Sequence, residues 1–185
     1  MRRRNFLKGL ACGSLAALCT PLAAIKALAV PSASEFQAYS GSLTIFNINT
    51  RETLAIDYLT DQDTFDQAAL DKLNHLFRCK MTHQVAAIDP RLYLLLDAVQ
   101  TRLGARGKTF TLISGYRSQE YNRLRASSNA KVSQSSYHTK GMAADVSLDG
   151  VSLASLRQAG IDLGIGGVGK YSDFIHLDVG PVRSW

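Results

Sequence analysis

Alternating apolar and polar positions begin the main body of the chain. Residues 43–48 and 54–58 both alternate and are joined by the polar segment 49–52, which predicts a β-hairpin. Apolar side chains then recur with a helical spacing, after a capping position at Asp63 or Thr64. This first region is therefore predicted to form two strands followed by a helix.

Similar patterns predict the elements that follow. Asp89 and Pro90 form an N-cap followed by a first-turn proline, so a second helix is expected to begin there and to end near residues 103–104. Further runs predict strands at 109–114, 143–148, 168–171 and 174–179, helices at 118–126 and 153–159, and a polar loop at 127–136. Residues 43–185 are thus predicted to be one α+β domain, with helices packed on one face of a mainly antiparallel sheet.

The first 29 residues have the pattern of an export signal. Arginines at positions 2–4 precede an apolar run from 10 to 25, and an Ala-Leu-Ala sequence ends at Ala29. The run is shorter than the roughly 20 residues of a membrane span. We expect residues 1–29 to be cleaved, leaving no stable membrane span, and residues 30–42 to be a flexible lead-in. An uncleaved N-terminal anchor is the alternative.

The paired arginines indicate the export route. They are followed by Asn-Phe-Leu-Lys, and this sequence resembles a twin-arginine signal. The expected partner is the twin-arginine export machinery, which carries folded proteins, so a metal ion could be loaded before export. The predicted location is the periplasm of a bacterial cell.

Removing the predicted signal also changes the charge of the protein. The whole chain has a net charge of +6, but five of its 21 Lys and Arg residues lie in 1–29, where no acid is present. The remainder carries 16 basic and 15 acidic residues. A nearly neutral domain gives no support to a nucleic-acid partner. Cys79 is the only cysteine in this remainder, so an internal disulfide is not possible there.

Two of the four histidines stand near carboxylates on short elements. His138 lies on a turn rich in Ser and Gly, seven residues before Asp145 in the next predicted strand, and His176 lies on the last strand. Two imidazoles and one carboxylate form a known catalytic zinc set that leaves a position for water. The alternative is a loop histidine bonded to backbone, in a metal-free structural envelope protein. His75 and His83 are expected to be surface residues.

A longer motif gives the chain a family resemblance. The pattern S-x-H-x-x-G-x-A-x-D over 136–145, S-G-Y-R-S over 114–118 and the later His176 resemble the zinc D-Ala-D-Ala carboxypeptidases and dipeptidases. The resemblance implies the fold shared by lysostaphin, these peptidases and the hedgehog domain. It also implies Zn²⁺ as cofactor and hydrolysis of amide bonds in peptidoglycan peptides. The alternative is a zinc-containing domain that binds cell-wall peptides without cutting them, as the hedgehog-type fold shows to be possible.

The resemblance also assigns roles to individual residues. His138, Asp145 and His176 would hold zinc. Arg117 would lie beside the metal and stabilise the oxyanion, and Ser136 would bind substrate by hydrogen bonding. The structural alternative for Arg117 is a salt bridge to Glu120 or a contact at the start of the helix.

The general base is the least defined of these roles. Better-known members of the group carry a glutamate three residues before the last histidine, where this chain has the shorter Asp173. Asp178 is the rival, since it lies two residues after His176 and on the same face of the strand. Asp178 is more readily explained as the partner that orients a ligand imidazole or Arg183.

Overall fold

The computed structural model describes residues 39–128 and 133–185. The predicted signal peptide and most of the predicted lead-in lie outside the described residues, and both remain predictions. None of the helices in the described ranges is long and apolar enough to cross a membrane.

The described residues form seven strands, four α-helices and one 3₁₀ turn. The strands are β1 (Ser42–Asn47), β2 (Glu52–Asp57), β3 (Thr109–Ser114), β4 (Ala143–Leu148), β5 (Gly167–Lys170), β6 (Ile175–Asp178) and β7 (Arg183–Ser184). The helices are α1 (Gln67–Leu76), α2 (Pro90–Arg102), α3 (Gln119–Ser128) and α4 (Leu153–Leu163), and the 3₁₀ turn is Tyr137–Lys140.

All seven strands join one mixed sheet in the order β2-β1-β3-β4-β6-β5-β7. Four of the neighbouring pairs are antiparallel, and the pairs β1–β3 and β5–β7 are parallel. The prediction of an α+β domain with a mainly antiparallel sheet is confirmed. The parallel pairs and the two-residue strand β7 were not predicted.

Helix ends follow capping chemistry, with one correction. Asp89 accepts a hydrogen bond from the backbone of Arg91 and α2 begins at Pro90, as predicted. The predicted cap of α1 at Asp63 or Thr64 is wrong, because residues 60–64 close a turn instead, in which the backbone N–H of Thr60 donates to the carbonyl of Thr64 at 2.8 Å. The actual cap is Asp66, whose side chain accepts from Ala69 N at 3.0 Å.

The sheet has one face covered by helices and one that carries polar side chains. Helices α1, α2 and α4 contact strands, and their buried side chains share one core cluster with β3 and β4, including Leu112 and Val146. Because successive strand residues point to opposite faces, the alternate positions Asp145, His176 and Asp178 lie on the face away from this core.

Asp97 of α2 anchors the start of β1. Its carboxylate, which is fully buried, accepts hydrogen bonds from the backbone N–H groups of Ser40 and Gly41 at 2.9–3.0 Å and from the hydroxyl of Tyr58 at 2.8 Å. Burial raises the pKa of Tyr58, and the adjacent Asp97 charge raises it further, so this hydroxyl remains a donor. The hairpin is thereby tied to the helix layer.

Replacing Asp97 with alanine is expected to lower the free energy of unfolding by about 2–4 kcal/mol. The reason is that several buried donors lose their acceptor, and each such loss costs about 1–3 kcal/mol. Urea denaturation followed by circular dichroism measures the change. Asp61→Ala, at an exposed aspartate in the 60–64 turn, is the control and should leave the midpoint unchanged. An Asp97→Ala protein as stable as this control would contradict the anchoring role.

Candidate metal centre

The three predicted ligands meet on the polar face of the sheet. Asp145 and His176 stand opposite each other in the register of β4 and β6, and His138 approaches from the 3₁₀ turn that leads into β4. His138 Nε2, Asp145 Oδ1 and His176 Nδ1 lie within 4.8 Å of one another, and all three residues are buried. Within the described ranges this is the only group of three or more His, Cys, Asp or Glu side chains placed to hold a metal ion.

Local sequence explains why the turn places His138 there. The hydroxyl of Ser136 accepts a hydrogen bond from the backbone N–H of His138 at 3.4 Å and caps the turn. Gly141 ends it with a left-handed φ of 67°, and a side-chain Cβ at this position would lie 2.4 Å from the carbonyl oxygen of Ala87. Only glycine fits such a close approach. Ser136 also lines the cavity in front of the cluster. Its contact with substrate remains a prediction.

In each imidazole, the nitrogen that points away from the cluster (the outer nitrogen) forms a hydrogen bond. His138 Nδ1 lies 2.7 Å from the carbonyl oxygen of Gly115, and His176 Nε2 lies 2.9 Å from Asp178 Oδ2. Carbonyl and carboxylate oxygens only accept, so both outer nitrogens donate. In the neutral imidazoles, the inner nitrogens therefore present lone pairs toward the centre of the cluster.

These inner atoms form a set that a cation fits. His138 Nε2 lies 3.1 Å from Asp145 Oδ1 and 3.2 Å from His176 Nδ1, which is itself 2.9 Å from the same Asp145 oxygen. When both imidazoles are neutral, these three acceptors cannot be satisfied by hydrogen bonds among themselves. Tetrahedral zinc with bonds of about 2.0–2.1 Å holds its ligand atoms about 3.3 Å apart. The donor types and their spacing both fit such an ion.

The protonation states of the cluster suit a metal ion. Burial lowers the pKa of His138 and keeps its imidazole neutral. Burial also opposes protonation of His176, but hydrogen bonds to Asp145 and Asp178 outweigh it and raise the pKa of this imidazole. Although burial alone would raise the pKa of Asp145, the neighbouring His138, His176 and Arg117 hold it well below its usual range. Asp145 is therefore an anion and His138 a neutral imidazole, which are the forms of these side chains that bind a metal ion.

Arg117 fixes the second oxygen of the ligand carboxylate. Its Nη2 donates to Asp145 Oδ2 at 2.5 Å, its Nε donates to Ser114 Oγ at 2.9 Å, and its backbone N–H donates to the carbonyl of His138 at 3.1 Å. The ion pair is thus formed with Asp145 and not with the neighbouring Glu120. Among the described residues, none accepts a hydrogen bond from Arg117 Nη1.

Asp178 lies behind His176, and it contacts both of the groups that the sequence suggested. It is fully buried and accepts hydrogen bonds from His176 and from Arg183, as well as from the backbone N–H groups of Gly167 and Gly180. Although burial acts in the opposite direction, these donors hold the pKa of Asp178 far below its ordinary value. Asp178 is therefore an anionic partner that orients the imidazole of His176.

Neither candidate general base presents a free carboxylate to the cluster. Asp173 is exposed, accepts a hydrogen bond from Ser172 Oγ at 2.9 Å, and lines a separate groove together with Asp149. The carboxylate of Asp178 is fully engaged behind His176. The geometry therefore gives no support to the expected role of Asp173, because the 171–174 loop turns that side chain away from the site.

A cavity of about 600 Å³ opens in front of the cluster. Arg117, Arg125 and Arg183 line it together with aromatic side chains that include Tyr171 and Trp185. Among the described residues, Asp145 is the only acid in the lining. The sequence analysis did not identify Arg125 or the carbonyl of Gly115 as parts of the site. A backbone carbonyl such as that of Gly115 cannot be recognised from residue type.

A protein-family model spans the whole of this architecture. The model described as Peptidoglycan L,D-endopeptidase MepK, Peptidase_M15_2, matches residues 36–185. The chain belongs to this family. The resemblance to the zinc D-Ala-D-Ala peptidase group is thereby confirmed.

Individual members of the Peptidase_M15_2 family are similar over most of their length. Peptidoglycan L,D-endopeptidase MepK of Escherichia coli (strain K12) is 42% identical over 146 residues, which cover 77% of this chain and 79% of that protein. The probable peptidoglycan L,D-endopeptidase MepK of Haemophilus influenzae is 42% identical over 145 residues, covering 77% of each chain. The matched family region includes all three residues of the cluster.

Replacing His138 with alanine is expected to weaken Zn²⁺ binding by at least about 100-fold, because loss of a ligand should exceed the 10–100-fold cost of losing a group that supports one. Competition of the metal-free protein with a chromophoric chelator measures this affinity. His75→Ala removes an exposed histidine of α1 and should bind Zn²⁺ like the unmodified protein. Equal affinities of the two variants would show that the cluster is not the metal site.

Proposed function

We propose that this chain is a zinc-dependent endopeptidase that hydrolyses L,D-amide bonds in peptidoglycan peptides. The observation that carries the proposal is the buried His138–Asp145–His176 cluster at the base of an open cavity, in a chain of the Peptidase_M15_2 family. Peptidoglycan lies in the cell envelope, so the chain acts there. We infer that residues 1–29 direct it to the periplasm by the twin-arginine route.

The residues of the cavity have distinct roles in this reaction. When bound, zinc supplies Lewis acidity toward a substrate carbonyl and lowers the pKa of water. His138, Asp145 and His176 would hold the ion. Arg117 is held by two side-chain hydrogen bonds, to Ser114 and Asp145, and it lines the cavity, so its guanidinium would stabilise a carbonyl oxygen that becomes negative, where a pre-positioned cation acts mainly in the transition state.

The charge of the cavity supports a peptide substrate that carries carboxylates. Arg117 is paired with Asp145 and Arg183 with Asp178, whereas Arg125 forms no ion pair in the described part of the chain. Arg125 lies over the ring of Tyr121, with Cζ 6.0 Å from the ring centroid. Stem peptides of peptidoglycan carry free carboxylates, and one of these would compensate the charge of Arg125.

Binding without hydrolysis is the second candidate function. One observation favours it, namely that no unpaired carboxylate lines the cavity within residues 39–128 and 133–185. A general base typically contributes about 10²–10⁴-fold to the rate of a reaction. A site without such a group could retain peptides and leave them intact.

Incubation with purified cross-linked muropeptides separates these functions. The zinc-loaded protein is expected to release new products, identified by mass spectrometry as cleavage at an L,D-amide bond. A chelator should abolish the products and added zinc should restore them, while His138→Ala should remain inactive. Retention of uncut peptides by the zinc-loaded protein would instead establish the binding function.

Replacing Asp173 with asparagine is expected to leave kcat within about threefold of the unmodified enzyme, because this carboxylate faces a different groove. A general base would lower kcat by about 100-fold or more when lost. Asp149→Asn is the matched control, since Asp149 is exposed and lines the same groove. A large loss confined to Asp173→Asn would restore the role that sequence comparison suggested for this residue.

A further inference from the structure

We propose that Arg183 is a positioning residue for the metal ligand His176. Acting through Asp178, it fixes the orientation of the imidazole, so that the C-terminal strand β7 sets how tightly the site binds its metal ion. This inference rests on the proposed zinc site and adds to it a residue that does not contact the ion.

A forked ion pair begins the connection. Arg183 Nη1 lies 3.1 Å from Asp178 Oδ1, and Nη2 lies 2.6 Å from Oδ2. Two parallel bonds of this kind fix the plane of a carboxylate as well as its position. The oxygen Oδ2 is also the acceptor for His176 Nε2, at 2.9 Å. One oxygen atom therefore links the guanidinium to the ligand imidazole.

The carboxylate of Asp178 depends on this arginine for its side-chain counter-charge. Asp178 has no exposed surface, and its other contacts to Oδ1 are the backbone N–H groups of Gly167 at 3.1 Å and Gly180 at 2.9 Å. Both amides donate to Oδ1, whereas Oδ2 accepts hydrogen bonds from Arg183 and His176. Without Arg183, rotation of the carboxylate about its remaining contacts would release the imidazole.

Two aromatic rings hold the guanidinium in place. Arg183 Cζ lies 4.9 Å from the ring centroid of Tyr137 and 5.1 Å from that of Trp185, within the range of cation–π attraction. Tyr137 immediately precedes the ligand His138, and the Trp185 ring lies 5.4 Å from the ring of His176. Arg183 thus lies between rings that flank both histidine ligands.

Glycines create the space for each of these contacts. An added Cβ at Gly167 would lie 2.5 Å from both Arg183 Nη1 and Asp178 Oδ2. One at Gly169 would lie 2.4 Å from the Trp185 ring, and one at Gly180 would lie 2.5 Å from the Tyr137 ring. Real Cβ atoms do not approach this closely, so a side chain at Gly167, Gly169 or Gly180 would displace Arg183 and Asp178, Trp185 or Tyr137 respectively.

Backbone hydrogen bonds attach β7, the short strand that includes Arg183, to β5. Arg183 N donates to the carbonyl of Gly166 at 3.2 Å and Trp185 N to that of Val168 at 3.1 Å, while Lys170 N donates to the carbonyl of Trp185 at 3.1 Å. Strand β7 is therefore paired with β5 at Arg183 and at the residues that follow it. Its position in the sheet determines where the guanidinium meets Asp178.

The test measures zinc affinity of the purified protein by chelator competition, without reference to peptide cleavage. Arg183→Ala is expected to bind Zn²⁺ about 10–100-fold more weakly, the usual cost of losing a group that supports a ligand. Arg183→Lys keeps the charge but cannot form the fork, so at least about tenfold weakening is expected here also. Arg102→Ala removes an exposed arginine paired with Asp162 and should bind Zn²⁺ normally.

A second readout separates positioning from a general loss of stability. In the cobalt-substituted protein, Arg183→Ala and Arg183→Lys should change the visible absorption of Co²⁺ even at saturating metal, because the imidazole is held differently. Unchanged affinity and an unchanged cobalt spectrum for Arg183→Lys would overturn the inference, including when Arg183→Ala fails to fold. An unmodified protein that binds zinc but cuts nothing would overturn the proposed function alone, and one that binds no zinc would overturn both.

Discussion

Three acceptor atoms held about 3 Å apart in a buried place are the constraint on which the site depends. His138 Nε2, His176 Nδ1 and Asp145 Oδ1 face one another, and each is held there by a bond made on its other side. Gly115 and Asp178 hold the imidazoles, and Arg117 holds the carboxylate. Such an arrangement is costly without a cation, because buried polar atoms need partners. The outer bonds therefore prepare the site before any ion is present.

The fold supplies this arrangement through strand register and one tight turn. The pairing of Asp145 with His176 across β4 and β6 brings two ligands together with no further requirement. The third ligand needs Gly141, whose left-handed backbone lets the 3₁₀ turn approach residues 87–88 closely. The helices cover the opposite face of the sheet. Successive residues of the same strand therefore alternate between the apolar core and the polar site.

Much of this could be predicted from the sequence, for identifiable reasons. The convergence of His138, Asp145 and His176 was predicted from residue type and motif, and the position of Asp178 from the two-residue period of a strand. The orientation of Asp173 could not be predicted, because the 171–174 loop has no periodicity that directs a side chain. The two hydrogen bonds from Arg183 to Asp178 depend on a strand of only two residues. The parallel pairing of β1 with β3 depends on contacts between residues far apart in the sequence. Short strands and backbone acceptors are the features that a hydrophobic pattern conveys least well.

The charge balance of the site explains how a cavity with few acids could still act on a peptide bond. Asp145 is paired with Arg117, and Asp178 with Arg183, so two carboxylates and two guanidinium groups cancel. With neutral imidazoles, these four groups contribute no net charge around a divalent ion, so the charge of the ion, together with that of Arg125, would act toward the cavity. In a partly buried place of low dielectric such a charge is strongly felt. It would favour an anionic peptide, and a cation held by these residues would lower the pKa of water.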